Sequence, residues 1–213
     1  MNTRSPFVQV FGQQELVARV ARAEPVGSHL ISIGNPLIPG QTPHEDETLP
    51  PEFAGKFQAV LRLEFFDVPS LANLRPEQPQ RIPERRDVEA VLKFFRESRG
   101  EATGYTVHCW AGVSRSTAVA LGILYLIHGT EEAAARELMA IRRVAGPHSG
   151  LVQFWDDVLG SHLAEANDVL RRERLLSMKR EILASLRKSG VEVPEDLEEL
   201  EELEELEDLG ELK

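Results

Sequence analysis

The run Tyr105-Thr106-Val107-His108-Cys109-Trp110-Ala111-Gly112-Val113-Ser114-Arg115-Ser116 decides how this chain is read. Tyr105 to His108 reads as a short strand, Cys109 to Arg115 as a loop, and residues 116–127, apolar nearly all round, as a buried central helix. A strand that enters a tight loop and then a helix turns successive backbone N–H groups toward one spot, backed by the positive end of the helix dipole. Such a nest binds a phosphate dianion and equally stabilises a thiolate, the form in which Cys109 is a nucleophile. Gly112 has no side chain and permits the tight cradle. Arg115 offers a planar, permanently charged fork matched to two phosphate oxygens. The Ser116 hydroxyl is placed to donate to the sulfur, and the His108 ring to order the loop and help hold the thiolate. The plain alternative for Cys109 is a small buried hydrophobe.

Upstream of that run, Phe7-Val8-Gln9-Val10 reads as a strand, and Leu16, Val17 and Val20 share one face of a helix over 14–23. His29-Leu30-Ile31-Ser32-Ile33 is an apolar strand ended by Gly34-Asn35-Pro36, and residues 39–51 form a loop rich in proline, glycine and acids. Residues 60–66 make the next strand, apolar on both faces apart from Arg62 and Glu64, as expected inside a covered sheet. Pro76, Pro79 and Pro83 mark 70–83 as an exposed loop, after which Val88, Val91, Leu92 and Phe95 fall on one helical face. Downstream, helices are expected over 131–143 and 151–163. Strands alternating with helices imply an α/β fold with a central, mostly parallel sheet flanked by helices. His29, His44, His128, His148 and His162 lack close ligand spacing, so neither a metal nor another cofactor is expected. His148, after Gly146-Pro147, reads as a surface loop residue, with the mouth of the site as its other reading.

The single cysteine cannot form an internal disulfide, which suits a reducing compartment. No stretch is long and apolar enough to span a membrane, and Met1-Asn2-Thr3-Arg4-Ser5-Pro6 lacks a signal-peptide core; the expectation is a cytoplasmic protein. The net charge of -11 is concentrated at one end. Residues 192–213 carry 12 acids against Lys213 alone, leaving 23 bases and 23 acids elsewhere. An acidic total argues against nonspecific binding to nucleic acid. Ahead of that tail, residues 171–188 carry seven bases and two acids on an amphipathic helical pattern that includes Leu176, Leu183 and Leu186, with Gly190 as its C-terminal cap. In the tail, leucine recurs every third residue from 197 to 212, a period that drifts around a helix and makes no coiled-coil seam. The tail reads as a solvated appendage, as one arm of a hairpin against the basic helix, or as a segment for a protein partner.

The residues from His108 to Ser116 resemble the His-Cys-x5-Arg-Ser/Thr signature of the protein tyrosine and dual-specificity phosphatase superfamily. The chain also resembles a group of small bacterial phosphatase-like proteins, through Ser28-His29-Leu30-Ile31-Ser32, Leu61-Arg62-Leu63-Glu64-Phe65-Phe66-Asp67 and Leu151-Val152-Gln153-Phe154. The likeness covers residues 5–165, a phosphatase domain, and leaves 168–213 as an appendage. It implies a dual-specificity-phosphatase-like fold and hydrolysis of phosphomonoesters through a phosphocysteine, with an aspartic acid protonating the leaving oxygen. Asp67 is the candidate, because sites gather beyond the carboxyl ends of parallel strands and Asp67 follows its strand as Cys109 follows the next. Glu64, in mid-strand, and Asp87, on an amphipathic helix, are weaker candidates. The variable loop positions Trp110, Ala111, Val113 and Ser114 carry no charge, which points away from polyanionic headgroups and toward phosphoproteins or another modestly charged phosphomonoester. No aromatic clamp of strict phosphotyrosine enzymes is apparent, so the expected substrates are phosphotyrosine together with phosphoserine and phosphothreonine. The rival reading is a phosphate-binding scaffold that uses the same loop.

Overall fold

A computed structural model describes residues 5–37, 53, 55–76 and 78–189. The chain divides into two compact units, Met1–Asp168 and Val169–Lys213. Elements follow in the order β1 (Phe7–Gly12), α1 (Gln13–Ala21), β2 (His29–Gly34), β3 (Ala59–Glu64), α2 (Arg85–Ser98), β4 (Gly104–Cys109), α3 (Arg115–His128), α4 (Glu131–Ile141), α5 (Ser149–Leu159) and α6 (Leu163–Ser189). The fold is α/β, with a parallel sheet ordered β1-β4-β2-β3. Because every neighbouring pair is parallel, all four carboxyl ends lie along one edge. Cys109 closes β4, Asn35 follows β2, and Asp67 lies just past β3.

The interior strands β2 and β4 are buried at every position. β3 departs from its expected setting. It lies at the sheet edge and is half-covered, with Val60 42% exposed. Arg62 and Glu64 account for this, since charged side chains on an edge strand discourage further pairing. The periodicity in α2 gives the expected packing: Val88, Val91, Leu92 and Phe95 are buried. Its start is fixed by Asp87, which accepts the Glu84 N–H at 2.8 Å and pairs with Arg81.

α3 is buried from Arg115 to Leu124 and packs against α4 and α5. Gly122 makes the α5 contact possible, since a Cβ there would stand 2.0 Å from Cε2 of Trp155. α5 ends at Leu159, short of the expected 163, because Gly160 takes the left-handed conformation at φ 65°. The next helix begins at Leu163, earlier than the basic segment suggested, because Asp156 caps it: its carboxylate accepts the N–H of Leu163 at 2.7 Å and of Ala164 at 3.1 Å. Gly190 and the acidic tail lie outside the described residues.

Candidate active site

The loop between β4 and α3 is held from outside by its carbonyls. Gln13 N–H donates to the carbonyl of Trp110 at 3.0 Å, and Gly146 N–H to that of Val113 at 2.9 Å. Arg142 donates from Nη2 to the carbonyl of Ala111 at 3.1 Å and from Nε to that of Gly112 at 2.9 Å. The carbonyl of Ser114 accepts from the N–H groups of Ala118 at 3.1 Å and His148 at 3.3 Å. A peptide unit is planar, with its N–H opposed to its C=O. Five outward carbonyls therefore turn the N–H groups of residues 111–115 away from those anchors, toward the loop interior. Gly112 is required at its position: φ is 71°, and a Cβ would meet the backbone N of Gly12 at 2.4 Å.

Cys109 is buried, with Sγ 3.1 Å from Oγ of Ser116 in the first turn of α3. Arg115 is buried and tethered: Nη1 donates to Oδ1 of Asn35 at 2.8 Å and to the carbonyl of Phe65 at 2.9 Å. Asp67 stands beside it, with Oδ2 3.6 Å from Nε of Arg115, while Oδ1 accepts the Ser114 hydroxyl at 2.7 Å. Cys109, Ser116, Arg115 and Asp67 are thus gathered at one sheet edge. A cleft of about 390 Å³ opens there, lined by Asn35, Phe66, Asp67, Val68, Trp110 and Arg115. Trp110 is 60% exposed and gives the cleft an exposed aromatic surface.

His108 faces away from the cleft. Its Nε2 meets Oγ of Ser32 at 2.8 Å, and that oxygen also accepts Nη1 of Arg62 at 2.8 Å. Arg62 can only donate, and the buried Ser32 hydroxyl keeps one proton to give and a second lone pair, so it serves either tautomer of the His108 ring. Burial pushes the His108 imidazole down to about 4, aided by the charges of Arg62 and Arg115. The Cys109 backbone pulls the other way but makes no full hydrogen bond, as Nδ1 is left without a partner. His108 is therefore neutral near pH 7 and supplies no positive charge to the sulfur. Glu64 closes β3 rather than lying in mid-strand, and pairs with Arg62, while Asp87 caps α2; neither lines the cleft.

Arg142, Asn35 and Ser32 were not singled out by the sequence. His148, expected on a surface loop, is the N-cap of α5 and partly buried, with Nε2 3.2 Å from the carbonyl of Val68. Among the described residues no three His, Cys, Asp or Glu side chains cluster as a metal would need, and no helix is long and apolar enough to cross a membrane.

No family model and no curated protein matches the chain. Among solved structures it is similar to DUSP15, at 19% identity and a TM-score of 0.49, over 79% of this chain and 90% of that one. It is similar to Tk-PTP in the active form at 18% identity and a TM-score of 0.46, over 79% and 99%. A third likeness is to the human tyrosine phosphatase-like serine/threonine/tyrosine-interacting protein, at 17% identity and a TM-score of 0.43, over 70% and 85%.

Proposed function

We propose that this chain is a cysteine-dependent phosphatase that hydrolyses phosphomonoesters on proteins. The observation that carries the reading is the loop from Cys109 to Arg115, in which the carbonyls of Trp110 to Ser114 are anchored outward around a buried sulfur. Amides so directed accept the charge of a phosphate dianion, and Arg115, held in place by Asn35 and Phe65, presents its fork to two equatorial oxygens. The Cys109 thiolate attacks phosphorus, and the P–O bond to the leaving group breaks as Asp67 delivers a proton to the departing oxygen. The resulting Asp67 carboxylate takes a proton from water, which attacks the phosphocysteine. The S–P bond breaks, and the thiolate leaves with the Ser116 hydroxyl donating to it across 3.1 Å.

Phosphotyrosine fits the cleft. Phe66, Val68 and Trp110 offer apolar surface for an aromatic ring above the phosphate position, and smaller phosphoserine and phosphothreonine fill less of it. A reducing compartment, the cytoplasm, would keep the lone thiol available. The acidic tail is the segment proposed for a protein partner, not for nucleic acid.

The test is turnover of p-nitrophenyl phosphate by the full chain, with Cys109→Ser alongside. Vanadate-sensitive turnover in the parent and none in the variant is expected. Tight vanadate binding without turnover in the parent would make the loop a recognition nest and the protein a binder.

A further inference from the structure

His148 stands where three parts of the molecule meet. Its ring Nδ1 accepts the N–H of Leu151 at 3.4 Å, which caps the first turn of α5, a helix anchored in the core by Leu151, Val152 and Trp155. Its backbone N–H donates to the carbonyl of Ser114, in the cysteine loop, at 3.3 Å. Its Nε2 lies 3.2 Å from the carbonyl of Val68, the residue after Asp67. A backbone N–H can only donate and a carbonyl can only accept, so Nδ1 is the bare nitrogen and Nε2 carries the proton. Ser114 in turn donates its hydroxyl to Asp67 Oδ1 at 2.7 Å, which completes a circuit of hydrogen bonds through His148, Val68 and Asp67.

The segment that bears Asp67 needs such a tie. Residues 70–73 directly after it are exposed, and among the described residues the Phe66 N–H is the nearest upstream backbone anchor, donating to Arg81 at 2.9 Å. Between them, Asp67 and Val68 are held by Ser114, Arg115 and His148. We infer that His148 is a positioning residue for Asp67: through the Val68 carbonyl it locks the acid-bearing segment to the cysteine loop and to the buried α5. The inference rests on the phosphatase reading, with Asp67 as the proton donor. Its content is geometric, because displacing a proton donor by about 1 Å costs up to about a hundredfold in rate.

Two substitutions separate the tie from the helix cap. In His148→Asn the side-chain oxygen takes the place of Nδ1 and still caps α5, but no donor reaches Val68. In His148→Gln the terminal amide extends about as far as Nε2 and can donate to Val68. Both are compared with the parent and with Asp67→Asn, on phenyl phosphate, whose leaving group needs a proton, and on 2,4-dinitrophenyl phosphate, whose leaving group does not. The expected result for His148→Asn is a loss of about tenfold in kcat/KM on phenyl phosphate and less than about twofold on the dinitrophenyl ester, with His148→Gln recovering most of the difference. The ring 15N shifts of His148 in the full chain, read at about pH 8, should report the Nε2–H tautomer whether or not the chain turns over. A Nδ1–H tautomer overturns the tie outright. An active parent whose His148→Asn variant loses both substrates equally, or neither, overturns the positioning role alone. A parent without turnover removes the phosphatase reading and the catalytic content of this inference with it.

Discussion

At Gly112 two constraints coincide, a left-handed φ of 71° and a backbone atom 2.4 Å from where a Cβ would stand. Gly112→Ala is therefore expected to deform the loop rather than merely crowd it, lowering kcat/KM on p-nitrophenyl phosphate by about a hundredfold or more while the thermal midpoint moves by only a few degrees. His108 supplies a second residue-scale prediction. Its folded-state pKa, about 4, lies below the ordinary 6.5, so between these values the unfolded chain takes up a proton that the folded chain refuses. The stability associated with its neutral, buried ring is present above pH 6.5 and is lost as pH falls toward 4, on the order of 3 kcal/mol in full. Urea unfolding at pH 7 and near pH 5 should show a smaller acid-induced loss for His108→Gln than for the parent. An equal loss would assign the acid sensitivity to other groups. The placement of Cys109, Gly112, Arg115 and Ser116 together is legible because all four lie within one short run. That of Arg142, Asn35 and Ser32 is not, because each reaches the site through hydrogen bonds to residues 30 or more positions away, and no local period records such a contact.

The elements were read from periodicity, which reports that a residue is covered but not by what. That was sufficient for α2, whose apolar spacing and buried face agree, and for the interior strands β2 and β4. It misled at β3, where an apolar run suited a central strand equally well and only pairing order makes it an edge. The early start of the basic helix at Leu163 escapes periodicity for a related reason: it is set by the Asp156 carboxylate seven residues back, on the preceding helix. In α3 the apolar pattern gave no sign that Gly122 receives the Trp155 ring. Gly122→Ala should destabilise the chain by about 1–3 kcal/mol or more, although alanine is the better helix former, because the Cβ enters the space of the indole. The Trp155→Phe change shrinks that ring and removes an indole N–H that is buried without a partner. Combined with Gly122→Ala, it should lose less stability than the two single changes summed, as urea midpoints would show. Additive losses would mean that Gly122 matters for some other contact.

For the whole molecule, the distribution of charge matters more than its total. Residues 1–190 carry 23 bases and 23 acids and are neutral as a set, while 191–213 hold 12 acids and one base and account for the entire -11. The cleft contributes Arg115 and Asp67 as its charged lining, so near the phosphate position local charge is nearly balanced. The tail is therefore the part of the chain whose charge would repel a dianionic substrate, and such repulsion acts on encounter rather than on the chemical step. Truncation after Gly190 should raise kcat/KM for an acidic phosphotyrosine peptide by about two- to fivefold at about 20 mM salt and leave it unchanged at about 300 mM, where the screening length has shrunk to a few ångströms. The kcat should stay constant at both salt concentrations, because Cys109, Arg115 and Asp67 keep their partners within 1–168. An aryl phosphate whose only charge is its phosphate should respond less than the acidic peptide. If truncation changed kcat instead, or acted equally at high salt, the tail would be influencing the site by contact rather than through its field.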